Sequence, residues 1–178
     1  MKPILPPLYK KLLLLAIVIG PFYWLVFTDD GQRRTDLALL HLMGQAQIGL
    51  AIERLEPTMT EADIRRLFPD LELQCGAGGA PFGDRLCTAR LGAFNQIPAR
   101  AISLHLGGDQ LRALRVDFRR GYHEPMRAQL ERRIGAPEVG EALSWPVSGG
   151  VLLLPADRPK SDSEAALFWL SRQAMAVR

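Results

Sequence analysis

Two long stretches of this chain, Leu12–Thr28 and Leu37–Ile52, carry no formal charge, whereas charged and apolar positions alternate over most of the remainder. The first, LLLLAIVIGPFYWLVFT, has 17 residues and would span about 26 Å as a helix. A bilayer core of about 30 Å is reached if Leu8 and Tyr9 extend the helix while Lys10 and Lys11 snorkel to the headgroups. Phe22, Tyr23 and Trp24 suit the opposite interface. This pattern predicts a transmembrane helix over 12–28, kinked at Pro21, between a short N-terminus (1–11) and one domain (29–178). A signal peptide shares the Lys10-Lys11 and Leu12–Ile19 pattern, but bulky PFYWLVF stands where a cleavage site needs small residues.

In the second stretch, Thr35 is placed to cap a helix running to about Leu55. The helix would be apolar on nearly all sides, so both sides need cover. Leu39, Met43 and Leu50 share one face by helical spacing and are candidate partner-binding residues. Two alternatives stand beside this reading: a fully buried core helix, and a second span, which His41, Gln45 and Gln47 make costly.

Further on, Thr60 with Asp63 approximates a capping box, Ile64, Leu67 and Phe68 form an apolar stripe, and Pro69 stops the helix. Strand patterns follow at 71–75, 86–91, 100–106 and 112–119. In the last two, apolar residues fall on even numbers (Ile102, Leu104, Leu106; Leu114, Val116, Phe118), so matched faces require pairs such as Leu104 with Leu114. That parity predicts a three-residue hairpin loop with a bulge. A second helix opens at Pro125, carries Met126, Leu130 and Ile134, and ends at Gly135. Strands are predicted at 142–147, 151–155 and 165–171, with a turn at 148–150 and a polar loop, ADRPKSDSE, before the last. Helices and antiparallel strands in this order define an α+β domain with helices on one sheet face.

Charge sharpens the picture. Lys2, Lys10 and Lys11 precede the span, leaving 19 of the 22 Lys+Arg against all 19 Asp+Glu beyond it. A body so balanced excludes a nucleic-acid binder, which needs a basic face. Three lysines before the span against Arg33 and Arg34 after it favour a cytoplasmic N-terminus. Beyond Lys11 the only lysine is Lys160, a bias of GC-rich bacterial genomes. Cys75 and Cys87 enclose the flexible loop GAGGAPFGDRL, and a disulfide between them would indicate an oxidising compartment; two buried free thiols are the alternative.

The segments TMTEADIRRLFPDLELQC (Thr58–Cys75) and LERRIGAPEVGEALSW (Leu130–Trp145) each join a short helix through Gly or Pro to a strand. In this they resemble the helix-then-meander modules of the β-lactamase-inhibitor-protein type and of the small outer-membrane assembly lipoproteins. The resemblance covers about a fifth of the chain and implies helices packed on a meander. The anchoring cysteine of the lipoproteins is missing, so their outer-membrane location is not implied.

Catalytic chemistry is not predicted. The chain has no Gly-x-Ser-x-Gly elbow, P-loop, HExxH or dinucleotide fingerprint. Gly107-Gly108-Asp109 matches three residues of a diguanylate cyclase signature but reads as a turn. His41, His105 and His123 are scattered, and two cysteines with three such histidines make no metal site. No cofactor or small-molecule substrate is expected. The chain reads as a non-enzymatic accessory or assembly subunit of a bacterial inner-membrane complex, with its domain in the periplasm and its protein contacts on the uncharged helix. The alternative is a tethered periplasmic binding or inhibitor domain that uses its sheet face or Gly-rich loop, and the position of the apolar patch discriminates the two.

Overall fold

The computed structural model describes residues 6–176. Helix α1 (Pro7–Phe27) runs unbroken through Pro21, with Pro7 at its first position, where the missing N–H costs nothing. Its Leu8–Phe27 portion, 20 residues of mean hydropathy 1.8, is long and apolar enough to cross a membrane and packs on no core.

Thr28 ends this helix and starts the next. Its extended backbone (φ −107°, ψ 145°) breaks the helix, its hydroxyl donates to the Trp24 carbonyl (2.6 Å), and its Oγ accepts from the Gly31 amide (3.1 Å). Helix α2 therefore covers Asp29–Leu42, not 35–55 as the uncharged run predicts. The run is divided three ways. The helix stops before Gly44, whose φ of +67° suits a residue without Cβ. Strand β1 (Gln47–Ile48) follows, then a single 3-10 turn at Ile52–Arg54. Ile48 and Ile52 enter the core. Of this run only Leu40, Ile48 and Ile52 are buried and most other positions are exposed, and among the described residues only α1 is long and apolar enough to span a bilayer.

Helix α3 (Glu61–Leu67) has the capping box: Thr60 Oγ accepts from the Asp63 amide (3.3 Å), and Asp63 accepts from the Thr60 amide (3.1 Å). That backbone bond, with the Thr60 hydroxyl, holds the Asp63 carboxyl below the usual carboxylate range. Capping is thus complete above that range and is lost as pH falls and the carboxylate takes up its proton. Thr60→Ala is expected to destabilise the domain by about 1 kcal/mol, measurable as a lowered denaturation midpoint.

The remaining strands are β2 (Gln74–Ala77), β3 (Arg85–Arg90), β4 (Ala93–Phe94), β5 (Ile97–Gly107), β6 (Gln110–Phe118), β7 (Glu138–Val139), β8 (Ala142–Val147), β9 (Gly150–Pro155) and β10 (Ala166–Ser171). They form an antiparallel sheet in the order β2-β3-β5-β6-β10-β9-β8-β7. Beside it, β4 pairs with the start of β5, and β1 runs parallel to β4. The β5–β6 hairpin keeps Leu104 opposite Leu114, but its turn has two residues, Gly108 and Asp109, both with positive φ. A register shift between His105 and Leu106 absorbs the odd residue that the parity had assigned to the loop.

Helix α4 (His123–Ile134) ends at Gly135, whose carbonyl accepts from the Trp145 indole (2.9 Å). A four-residue helix, α5 (Arg172–Met175), follows β10. The order helix, short strand, three-strand meander thus occurs twice: α3-β2-β3-β5-β6, then α4-β7-β8-β9-β10. Strand order is mirrored about the central β6–β10 pair.

One row of paired residues crosses the inner face of the sheet: Cys87, Leu104, Leu114, Trp169, Leu152, Trp145. All are buried and share one core with Ile64 of α3, Met126 and Leu130 of α4, and Ile52 and Leu55 of the connection. Helices therefore cover this face. Burying several large side chains at roughly 25 cal/mol per Å² of apolar surface is the main favourable term.

Candidate functional site

The opposite face of the sheet is built from the alternate residues of the same strands. One row reads Leu86, His105, Ala113, Leu170, Val151, Pro146, and the next reads Thr88, Ser103, Arg115, Phe168, Leu153, Ser144. Most of these side chains are half-buried, whereas the inner row is wholly buried. The face divides in two. Over β3, β5 and β6 it is polar, with Thr88, Ser103, His105 and Arg115. Over β9 and β10 it is apolar, with Val151, Leu153, Phe168 and Leu170. Arg115 sits at the seam, bonded to Asp117 (2.8 Å), with its guanidinium 5.3 Å from the Phe168 ring centre.

Two loops frame the face. At one end His105 Nδ1 donates to the Gly79 carbonyl (3.0 Å), and its ring meets Phe82 edge-on, which fixes the Gly-rich loop. At the other, Arg115 donates to the Ser163 carbonyl (3.1 Å), Arg120 to the Lys160 carbonyl (2.8 Å), and Arg100 to the Asp162 carbonyl. The long polar segment is thereby held against the sheet.

The Cys75–Cys87 disulfide joins directly paired residues of β2 and β3. The Glu61 carboxylate lies within 4.8 Å of both sulfurs. However, the sulfurs are bonded to each other, and Glu61 is paired with Arg65 and Arg85, each at 2.7 Å. That grouping is an ion-pair network on a disulfide, not a free donor set.

The other candidate groups are dispersed. His123, buried at the start of α4, donates through Nε2 to the Pro155 carbonyl (2.8 Å) and ties α4 to β9. His41 is exposed on α2. Tyr122 donates to Asp36 (2.7 Å) on α2, and burial, then that bond, push its phenol well above its ordinary value. A cleft of about 630 Å³ lies between residues 44–46 and 70–74 and includes Asp70, Glu72 and Arg90.

Of the residues expected to bind a partner, Leu39 is exposed on α2 and Met43 is exposed at its C-terminal cap. Leu50 is not on that helix. Its amide donates to Asn95 Oδ1 and its carbonyl accepts from Asn95 Nδ2, both at 2.8 Å, and its side chain packs on the core. The three do not share a face because the helix on which that expectation rested ends at Leu42.

The sheet face stands as the alternative binding surface in the sequence reading, without named residues, and a sequence signal for its apolar half exists. VLLL (151–154) and ALFWL (166–170) are apolar at both parities, as strands with two apolar faces are.

These features define an α+β domain with one open sheet face, carried behind an N-terminal apolar helix. Comparison of the chain with protein-family models, curated proteins and solved structures gives no match.

Proposed function

We propose that this chain is a non-enzymatic protein-binding domain tethered to a bacterial inner membrane, the reading that an apolar patch on the sheet face favours over a complex subunit that docks through the uncharged helix. Its α1 spans the bilayer with the N-terminus in the cytoplasm, its domain lies in the periplasm, and the open sheet face takes the partner. The apolar half of that face, Val151, Leu153, Phe168 and Leu170, carries the reading, because accessible clustered apolar side chains beside a fixed arginine are a common protein-recognition surface. The disulfide supports an oxidising compartment. Lys2, Lys10 and Lys11 support the orientation. The twice-repeated helix and meander accords with the proposed likeness to β-lactamase-inhibitor-type modules.

The test is photo-crosslinking from position 168 in native membranes, combined with purification of Leu153→Asp/Phe168→Asp. A carboxylate desolvated in an apolar contact costs several kcal/mol, so recovery of the crosslinked partner should fall at least tenfold while the domain stays folded. Unchanged recovery, or no protein adduct from position 168, removes the sheet face as the binding surface.

A further inference from the structure

Helix α2 divides by charge. At 3.6 residues per turn, Asp30, Arg33, Arg34, Asp36 and His41 fall on one half, while Gly31, Thr35, Ala38, Leu39 and Leu42, with Met43 at the end, fall on the other. Part of the charged half turns toward the domain, where Asp36 accepts from the Tyr122 hydroxyl (2.7 Å) and from Arg119 (3.0 Å) and neighbouring Leu40 is buried, while Arg34 and His41 are exposed.

The uncharged half turns toward α1. A Cβ on Gly31 would lie 2.2 Å from the Trp24 carbonyl oxygen, so only glycine allows the two backbones this close, and Gln32 donates to the Val26 carbonyl (2.7 Å). The helices do not form one rod. Arg34 lies 5.6 Å from the Trp24 ring centre, whereas ten residues of straight helix would separate them by about 15 Å along the axis. Helix α2 therefore turns across the end of α1. Past the Gly31 contact its uncharged half is open, with Leu39 52%, Leu42 83% and Met43 71% exposed.

We infer that α2 lies in the interfacial layer of the bilayer that holds α1, with Ala38, Leu39, Leu42 and Met43 against lipid acyl chains and the domain seated on its charged half. This rests on α1 being a span. Two observations favour lipid as the occupant. The Gly31 contact sets the uncharged half of α2 directly against the end of α1, whose large apolar side chains are exposed as Leu39, Leu42 and Met43 are, and Trp24 with Arg34 at the junction is a pair suited to the headgroup region. A helix with one charged and one apolar half lies in the plane of such an interface.

The test uses the full chain in phosphatidylcholine–phosphatidylglycerol vesicles, labelled with a nitroxide at Leu39→Cys, Leu42→Cys, Ile17→Cys in mid-α1, or Arg66→Cys on the exposed surface of α3. Collisions with oxygen and with a water-soluble nickel chelate are compared. Labels at 39 and 42 should favour oxygen severalfold, as at 17 and opposite to 66. If 39 and 42 behave like 66 while 17 keeps its lipid pattern, the interfacial helix is overturned and the span stands. Shielding of 39 and 42 from both reagents means protein contact and also overturns it. Nickel access at 17 removes the span and the inference together.

Discussion

Trp169→Ala is expected to destabilise the domain by about 3–5 kcal/mol, as deletion of a large buried aromatic does. Trp169 sits in the central strand pair, opposite Leu114 on β6 and Leu152 on β9, and is fully buried. The cavity would open where both meanders meet, so neither half can close it alone. Domains of this size have a stability of only about 5–15 kcal/mol, and the loss is a large share. Its neighbour provides the control. Phe168 points to the other face and is half-buried, so Phe168→Ala should cost much less. Chemical denaturation of both variants in detergent measures the difference. Equal losses would mean that the second face is covered as fully as the first, and the proposed binding surface would disappear with it.

Removal of the disulfide by Cys75→Ser with Cys87→Ala is expected to cost about 3 kcal/mol on the loop-entropy account. The bond closes the 12-residue separation across the Gly-rich loop and ties β2, an edge strand paired only with β3, to the sheet. Amide exchange should accelerate in β2 and the loop before it does in β6 and β10. In native membranes, alkylation without reductant should find neither cysteine. Two modified thiols would place the domain in a reducing compartment and reverse the proposed orientation.

Local chemistry was legible wherever a few neighbouring residues decide the outcome. The Thr60–Asp63 box starts α3, Gly135 ends α4, and strict alternation along Ile102–Leu106 and Leu114–Phe118 sets the pairing of Leu104 with Leu114. The cysteines flanking a glycine-rich loop meet as their spacing allowed. Each of these rests on hydrogen bonds or contacts within about a dozen residues, so the partners that make them lie within the stretch of sequence that predicts them.

Three features were decided by the tertiary structure. An uncharged run is compatible with a helix, a strand or a buried connection, and Leu37–Ile52 is divided among all three because Ile48 and Ile52 fill the core beneath β4 and β5 while Leu39 and Leu42 stay outside it. The β6–β10 pairing joins residues some fifty positions apart, and no local pattern selects it over other antiparallel partners. The proposed binding face follows from that pairing. Only when β10 lies between β6 and β9 do Phe168, Leu170, Val151 and Leu153 become one patch beside Arg115. Local composition marks these residues as apolar on both sides of their strands, but helices cover one side of the sheet and leave the other accessible, and that choice is made by packing of the whole chain.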